Sequence, residues 1–253
     1  MKIVRFVSSD GRTAYGILQQ DGVYALEGNI YAKPRPGRLI GPRDALTLLA
    51  PCEPGKIVAI GQNYYDHVAE HGAEVPREPL MFLKPPSSIV GPEDPIVLPR
   101  QSNRVDHEAE LVAVIGRRGR HISRESAWDY LLGFTCGNDV TARDLQAADG
   151  QWARSKGFDT FCPLGPWIET DLHATDVEIV ARVNGETRQR GNSREMIYDL
   201  PSLISHVSSV MTLEPGDVVL TGTPAGVGPL LPGDVVEIEI EGIGVLRNPV
   251  VTQ

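Results

Sequence analysis

The residues of this chain best suited to chemistry are carboxylates on an apolar strand. In Asp106-His107-Glu108-Ala109-Glu110-Leu111-Val112-Ala113-Val114-Ile115-Gly116, side chains alternate between two faces. Glu108 and Glu110 therefore share one face with Val112 and Val114, while Ala109, Leu111, Ala113 and Ile115 share the other. Both faces are apolar downstream, which carries the two carboxylates toward the interior. An uncompensated charge is costly there, so a shifted pKa or a cation is expected. Carboxylates at i and i+2 lie about 7 Å apart, close enough to grip one ion. Asp139, at the polar end of Gly133-Phe134-Thr135-Cys136-Gly137-Asn138-Asp139, is the candidate third donor. Oxygen-only ligation favours a hard cation, Mg²⁺ or Mn²⁺. The spacing alone also fits a solvated strand end on which Glu108 and Glu110 pair with Arg100 or Arg104.

A second constellation lies in Asn63-Tyr64-Tyr65-Asp66-His67-Val68-Ala69-Glu70-His71-Gly72. His67-x-x-Glu70-His71 is formally an inverted zinc-peptidase pattern, with both histidines on one helical face. Its context argues against that reading, because Gly72 and Pro76 end the segment at once and no downstream helix offers an obvious further ligand. The alternative is an acid–base dyad in which Glu70, three residues along a short helix, orients the His67 imidazole and raises its basicity. Gly61 and Gly72 would let such a helix close as a lid. A solvated turn with two ordinary surface histidines is the third possibility.

Short strands must position these groups. The 253 residues carry 24 Lys+Arg against 33 Asp+Glu, a net charge of −9, with 41% hydrophobic content. That is the composition of one large globular domain, or one plus a small appendage. The acidity offers no footprint for phosphate backbones or anionic lipid. No stretch of the sequence reaches the roughly 18 apolar residues of a membrane span, and Arg5 and Asp10 interrupt any leader-like run, so a soluble, cytoplasmic protein is expected. Cys52, Cys136 and Cys162 are widely spaced, without a C-x-x-C pair, and read as reduced thiols. Strands are expected from Lys2 to Val7, Ala14 to Leu18 and Val23 to Leu26, with turns at Ser9-Asp10-Gly11 and Asp21-Gly22. A short helix is expected from Arg43 to Leu49. A boundary near residue 52 separates this small N-terminal β domain, residues 1–52, from a domain spanning 53–253. In the latter, apolar strands alternate with Gly/Pro turns and helices are few: Asn63 to Glu70, Ser123 to Tyr130 behind a cap at Ser123, and Pro201 to Val210. Pro215-Gly216-Asp217-Val218-Val219 returns as Pro232-Gly233-Asp234-Val235-Val236, which reads as successive strand entries in one sheet system. No G-x-S-x-G, P-loop or G-x-G-x-x-G motif occurs.

With these residues assembled, the chain resembles the fumarylacetoacetate hydrolase family over roughly residues 55 to 253. The resemblance rests on several segments in order: Gly61-Gln62-Asn63-Tyr64 running into Asp66-His67 and Glu70; Phe82-Leu83-Lys84-Pro85; His107-Glu108-Ala109-Glu110-Leu111; Asn138-Asp139-Val140-Thr141-Ala142-Arg143-Asp144; Ser155-Lys156-Gly157-Phe158-Asp159; and Leu220-Thr221-Gly222-Thr223-Pro224. It implies an α+β, strand-rich fold built on a mixed β-sheet roll, and a homodimer. It further implies Mg²⁺ or Mn²⁺ on Glu108, Glu110 and Asp139. His67 and Glu70 would be the lid dyad with Lys156 as a further catalytic group, and Arg143, Gln146, Thr223 and Lys84 would be substrate-site residues. Gln62, where many relatives carry an apolar residue or Arg, and the short Ala147-to-Ala153 loop bear on substrate length. The implied chemistry is enolate formation on a small 2-oxo acid. Cleavage of its C–C bond, by acylpyruvate-type hydrolysis or oxaloacetate-type decarboxylation, is the expectation, because the dyad that hydrolysis requires is intact. Isomerisation or tautomerisation of a hydroxydienedioate in aromatic-acid catabolism is the alternative. A binding protein that keeps the roll without turnover belongs to another class and would waste the carboxylates and the dyad.

Overall fold

Two antiparallel neighbours in mid-chain organise the molecule. The strand Ala109–Ile115 pairs with Leu131–Asn138 in a register that sets Ala109 opposite Asn138 and Leu111 opposite Cys136. In the computed structural model, which describes residues 1–8 and 10–253, this pair lies inside a mixed sheet of 12 strands. Ser9, expected in the first hairpin turn, lies outside the described residues. On one flank Ala109–Ile115 pairs with Val218–Leu220, which runs parallel to Ile57–Gly61, and Leu80–Lys84 closes that edge. On the other flank Leu131–Asn138 pairs with Cys162–Glu169, to which the N-terminal strands Lys2–Val7, Thr13–Gln19, Gly22–Asn29 and Ala32–Gly41 are added in turn. A five-stranded sheet runs in the order Glu186–Asn192, Glu178–Val183, Val235–Ile240, Gly244–Thr252 and Ile96–Leu98. Together these form the strand-rich α+β roll expected from the sequence.

The period-2 pattern of the acidic strand is realised in the packing. Leu111, Ala113 and Ile115 join a core with Ile179, Ala181 and Ile238 of the five-stranded sheet and with Leu203, Ile204 and Val207 of the helix Leu200–Val210. Val112 and Val114 turn the other way, onto Ile3, Ile57, Leu164, Val218 and Leu220. Burial on both sides gives a strand whose every residue is inaccessible, and truncating any of its large side chains should cost about 2–5 kcal/mol. The N-terminal strands have a small core of their own in Val4, Phe6, Val23 and Leu48. The three cysteines are buried and unpaired.

Several local expectations change. Arg43 to Leu49 is not a helix: one 3₁₀ turn, Arg43–Ala45, leads into a strand, Thr47–Leu49, because Leu48 opposite Phe6 is buried in the small core. Ala32–Gly41, with Pro34 and Pro36, is a strand despite its prolines, which an edge position tolerates. Arg124–Tyr130 winds as 3₁₀ helix, and the Ser123 side chain does not cap it. The two Pro-Gly-Asp turns are local copies. In each the Asp carboxylate accepts the backbone N–H three residues back, from Glu214 and from Leu231, both at 2.7 Å, and the glycine has φ near +90°. Their strands nevertheless enter different sheets, Val218–Leu220 the large one and Val235–Ile240 the five-stranded one. No helix among the described residues is long and apolar enough to cross a membrane.

Candidate active site

Antiparallel pairing brings the start of Ala109–Ile115 beside the end of Leu131–Asn138, and that is where the carboxylates gather. Glu108 precedes the first strand and Asp139 follows the second. The two are tied by Asp139 N–H donating to Glu108 O at 2.9 Å and Glu108 N–H donating to Asn138 Oδ1 at 2.9 Å. Glu108, Glu110 and Asp139 are buried, and each offers an oxygen within 4.8 Å of the others.

Cations surround two of the three. Lys156 Nζ donates to Glu108 Oε2 and to Asp139 Oδ2, both at 2.7 Å. Arg143 donates through Nη2 to Glu108 Oε1 at 2.6 Å and through Nε to Asp106 Oδ2 at 3.0 Å. Lys84 Nζ holds the other oxygen of Asp139. Burial opposes the charge on Glu108, but Lys156 and Arg143 outweigh it and hold the carboxyl well below the usual carboxylate range. Glu110 differs. Its carboxylate accepts Gly222 N–H at 2.7 Å and has no cation partner among the described residues. Burial, then the charges of Asp139 and Glu108, push its pKa well above the ordinary value. Three converging hard oxygen donors, one of them uncompensated, fit a divalent cation of the Mg²⁺ or Mn²⁺ kind.

Facing this cluster is the helix Tyr65–Glu70. Asn63 anchors its approach: its side chain accepts Tyr198 N–H at 2.9 Å and donates to Thr221 O at 2.7 Å. Gly222, at φ +99°, lies so close that a Cβ there would sit 2.6 Å from that of Asn63. The helix is latched to the following loop by Glu70 Oε1, which accepts Gly226 N–H at 3.1 Å, and by Asp66, which accepts Ala225 N–H at 3.3 Å. The second Glu70 oxygen lies 3.3 Å from Nδ1 of the buried His67. Helix, loop and carboxylates enclose a cleft of about 400 Å³, into which Gln62, His67, Arg143, Gln146, Trp152, Lys156 and Thr223 face.

A model of the family described as "Fumarylacetoacetate (FAA) hydrolase C-terminal" matches residues 56–251. The chain belongs to the fumarylacetoacetate hydrolase family. A second model, "Rv2993c-like, N-terminal", matches residues 1–51. The chain is 54% identical over 196 residues to an uncharacterized protein of Methanocaldococcus jannaschii, covering 78% of this chain and 83% of that one. It is 42% identical over 288 residues to a Xenopus laevis protein named oxaloacetate tautomerase fahd2, mitochondrial, covering 99% and 90%. Among solved structures, one described as 5-carboxymethyl-2-hydroxymuconate delta-isomerase from Mycobacterium smegmatis is 46% identical, with full coverage of both chains and a TM-score of 0.93.

In this fumarylacetoacetate hydrolase family member, nine of the ten residues singled out in the sequence gather in one region: Glu108, Glu110 and Asp139 at its floor, His67 and Glu70 on the helix, Lys156, Arg143, Gln146 and Thr223 around it. The tenth, Lys84, has a fully buried side chain that supports Asp139 from behind and donates to Val140 O at 3.3 Å, away from the cleft lining. Other residues went unassigned in the sequence. Asp106 is buried and holds Arg143 Nε, and its only signal was its place beside the acidic strand. Gln189, fully buried, comes from the five-stranded sheet. Its Nε2 donates to Thr223 Oγ1 at 2.7 Å and to Pro224 O at 2.8 Å, while its Oε1 accepts Ala109 N–H and faces His107 Nδ1, both at 2.9 Å. Thr223 Oγ1 in turn donates to Ala109 O at 2.8 Å, so the hydroxyl presents a lone pair, and not a proton, to the cleft. Trp152 packs on Gly61 and edge-on against Phe82.

Proposed function

We propose that this enzyme is divalent-metal-dependent, acts on a small enolisable 2-oxo acid, and moves a proton on the carbon beside the 2-oxo group, as a tautomerase or isomerase. The observation that carries the reading is the meeting in one cleft of three buried carboxylates, Glu108, Glu110 and Asp139, with the His67–Glu70 pair. Mg²⁺ or Mn²⁺ held by those carboxylates would supply Lewis-acid stabilisation of the negative charge an enolate carries. Glu70, accepting from His67 Nδ1, leaves Nε2 as the lone-pair nitrogen that takes and returns the proton. Arg143 spends three of its five N–H groups on Asp106, Gln146 and Glu108, and the remaining two, with Lys156, are available to a substrate carboxylate. An acidic protein thereby acquires a local site for an acidic substrate.

The names given to the Xenopus relative and to the mycobacterial structure both describe proton-moving reactions, which favours that course over C–C cleavage. Cleavage stands as the second reading because the same enolate is its leaving form, and because the His67–Glu70 pair is what water activation in hydrolysis requires. A homodimer is part of the proposal, to be tested by light scattering. The functional test compares oxaloacetate keto–enol interconversion, isomerisation of a hydroxydienedioate and acetylpyruvate hydrolysis, each with Mg²⁺, with Mn²⁺ and with chelator. Metal-dependent turnover in either of the first two, exceeding hydrolysis, is expected. Hydrolysis alone would move the assignment to C–C cleavage, and no turnover in any would overturn enolate chemistry.

A further inference from the structure

We infer that the helix Tyr65–Glu70 and His71, the residue that caps its C-terminus, carry a second cation site of different character, formed by His67, Glu70 and His71 and suited to zinc, whose occupation arrests the enzyme. The three residues stand at i, i+3 and i+4, and so share one face of a helical turn. Each offers a donor atom within 4.8 Å of the other two. The imidazole rings are 4.6 Å apart, edge to face at 82°, and Glu70 Oε2 already lies 3.3 Å from His67 Nδ1. Glu70 and His71 are exposed at the cleft mouth, so an ion has an entry path; rotation of His71, and of the Glu70 carboxyl about the oxygen held by Gly226, closes the last ångström or so onto bonds of roughly 2.0–2.2 Å. Two imidazole nitrogens and one carboxylate make a borderline-soft set that prefers Zn²⁺, whereas the oxygen-only set of Glu108, Glu110 and Asp139 prefers hard ions. Three protein ligands leave a fourth position for water or for an oxygen of the acid in the cleft.

Only the arrest depends on the function proposed above. Zinc bound through His67 Nδ1, the nitrogen beside Glu70, would leave the ring proton on Nε2 and engage the Glu70 carboxylate, so the lone pair and the orienting group that proton transfer uses would both be lost. The His67-x-x-Glu70-His71 pattern thus gains a role without a zinc-peptidase mechanism.

The test uses the full chain saturated with Mg²⁺ and titrated with Zn²⁺ against a chromogenic chelator, comparing wild type with His71→Ala and His71→Gln. Wild type should bind one more zinc equivalent than either variant, or bind it at least tenfold more tightly. Co²⁺ should give the intense visible bands of a low-coordinate nitrogen-containing site in wild type alone. Equal stoichiometry and affinity, with matching Co²⁺ spectra, in all three proteins would overturn the site. With each protein normalised to its own zinc-free rate, half-inhibition should need at least tenfold more Zn²⁺ in the variants. Unchanged inhibition despite a lost equivalent would overturn the arrest. A protein that turns over no 2-oxo acid would refute the proposed function while the binding measurements still decide the site.

Discussion

The backbone N–H of Glu108 is capped by the side-chain oxygen of Asn138 at 2.9 Å, at the point where two buried strands end and the carboxylate cluster begins. The bond ties the chain leaving one strand to the chain entering its neighbour, and so fixes Glu108 against Asp139. Asn138→Ala leaves a buried N–H without a partner, which costs about 1–3 kcal/mol. It should also loosen the cluster. Thermal unfolding should drop by several degrees and Mn²⁺ binding should weaken, whereas unchanged Mn²⁺ affinity would mean that the bond serves stability alone.

Among the described residues, Glu110 is the one carboxylate of the three without a cation partner. Its raised pKa, caused by burial and then by Asp139 and Glu108, means that the folded metal-free protein holds a proton that the unfolded chain releases above its ordinary carboxylate value of 4.5. This group's contribution to metal-free stability therefore falls as pH rises from about that value toward the folded pKa. Binding an ion displaces the proton, so Mn²⁺ affinity should rise with pH over the same window. Glu110→Gln should lower Mn²⁺ affinity at least tenfold and flatten both trends. Calorimetric titration at several pH values, with chemical denaturation of the metal-free protein, checks the signs.

Gln189 reaches the cleft through Thr223, whose hydroxyl it holds in an accepting orientation. Gln189→Leu strands Ala109 N–H, Pro224 O and His107 Nδ1, and leaves the Thr223 hydroxyl, still donating to Ala109 O, without the amide that fixes it from the other side. A loss of about 1–3 kcal/mol is expected, since such costs within one network do not add. Beyond stability, KM should rise more than kcat falls, because the chemical groups are untouched. Thr223→Ser should keep most of the activity and Thr223→Val should reproduce the KM effect. Equal, purely stability-limited losses in Gln189→Leu would contradict this coupling.

Much of this was legible in the residues and some was not. The faces of Ala109–Ile115 followed from period 2, because both faces are apolar and both are buried. The pairing of His67 with Glu70 followed from helical spacing, which local geometry alone fixes. What could not be read depends on contacts between distant segments. Arg43 to Leu49 looks helical until Leu48 is drawn into the small core opposite Phe6. The identical Pro-Gly-Asp turns carry no information about which sheet their strands join. Gln189 sits in Glu186-Thr187-Arg188-Gln189-Arg190, a strongly polar run, and it is internal because the Gly222–Gly226 loop on one side and His107 and Ala109 on the other take its side-chain hydrogen bonds. The motif around Lys84 placed it at the substrate pocket, and the structure puts it behind Asp139 instead.

Gly61 and Trp152 form one wall of the cleft. A Cβ on residue 61 would lie 2.5 Å from Trp152 Cζ3, so Gly61→Ala must displace the indole. KM for a short 2-oxo acid should rise several-fold, and Gly61→Ala combined with Trp152→Ala should recover part of that loss while admitting longer acids. Strict additivity of the two substitutions would show that they do not share a wall.

Enolate formation can be observed without knowing the product. Wild-type protein, incubated in D₂O with 2-oxobutyrate and Mg²⁺ and followed by proton NMR, should exchange the C3 hydrogens well above the uncatalysed rate. Exchange should stop on chelation, fall at least 100-fold in His67→Ala, and be lost in Glu110→Gln at limiting Mg²⁺. Exchange at the background rate in the metal-loaded wild type, or exchange indifferent to chelator and to both substitutions, would mean that the carboxylates and the imidazole do not work together on an enolate.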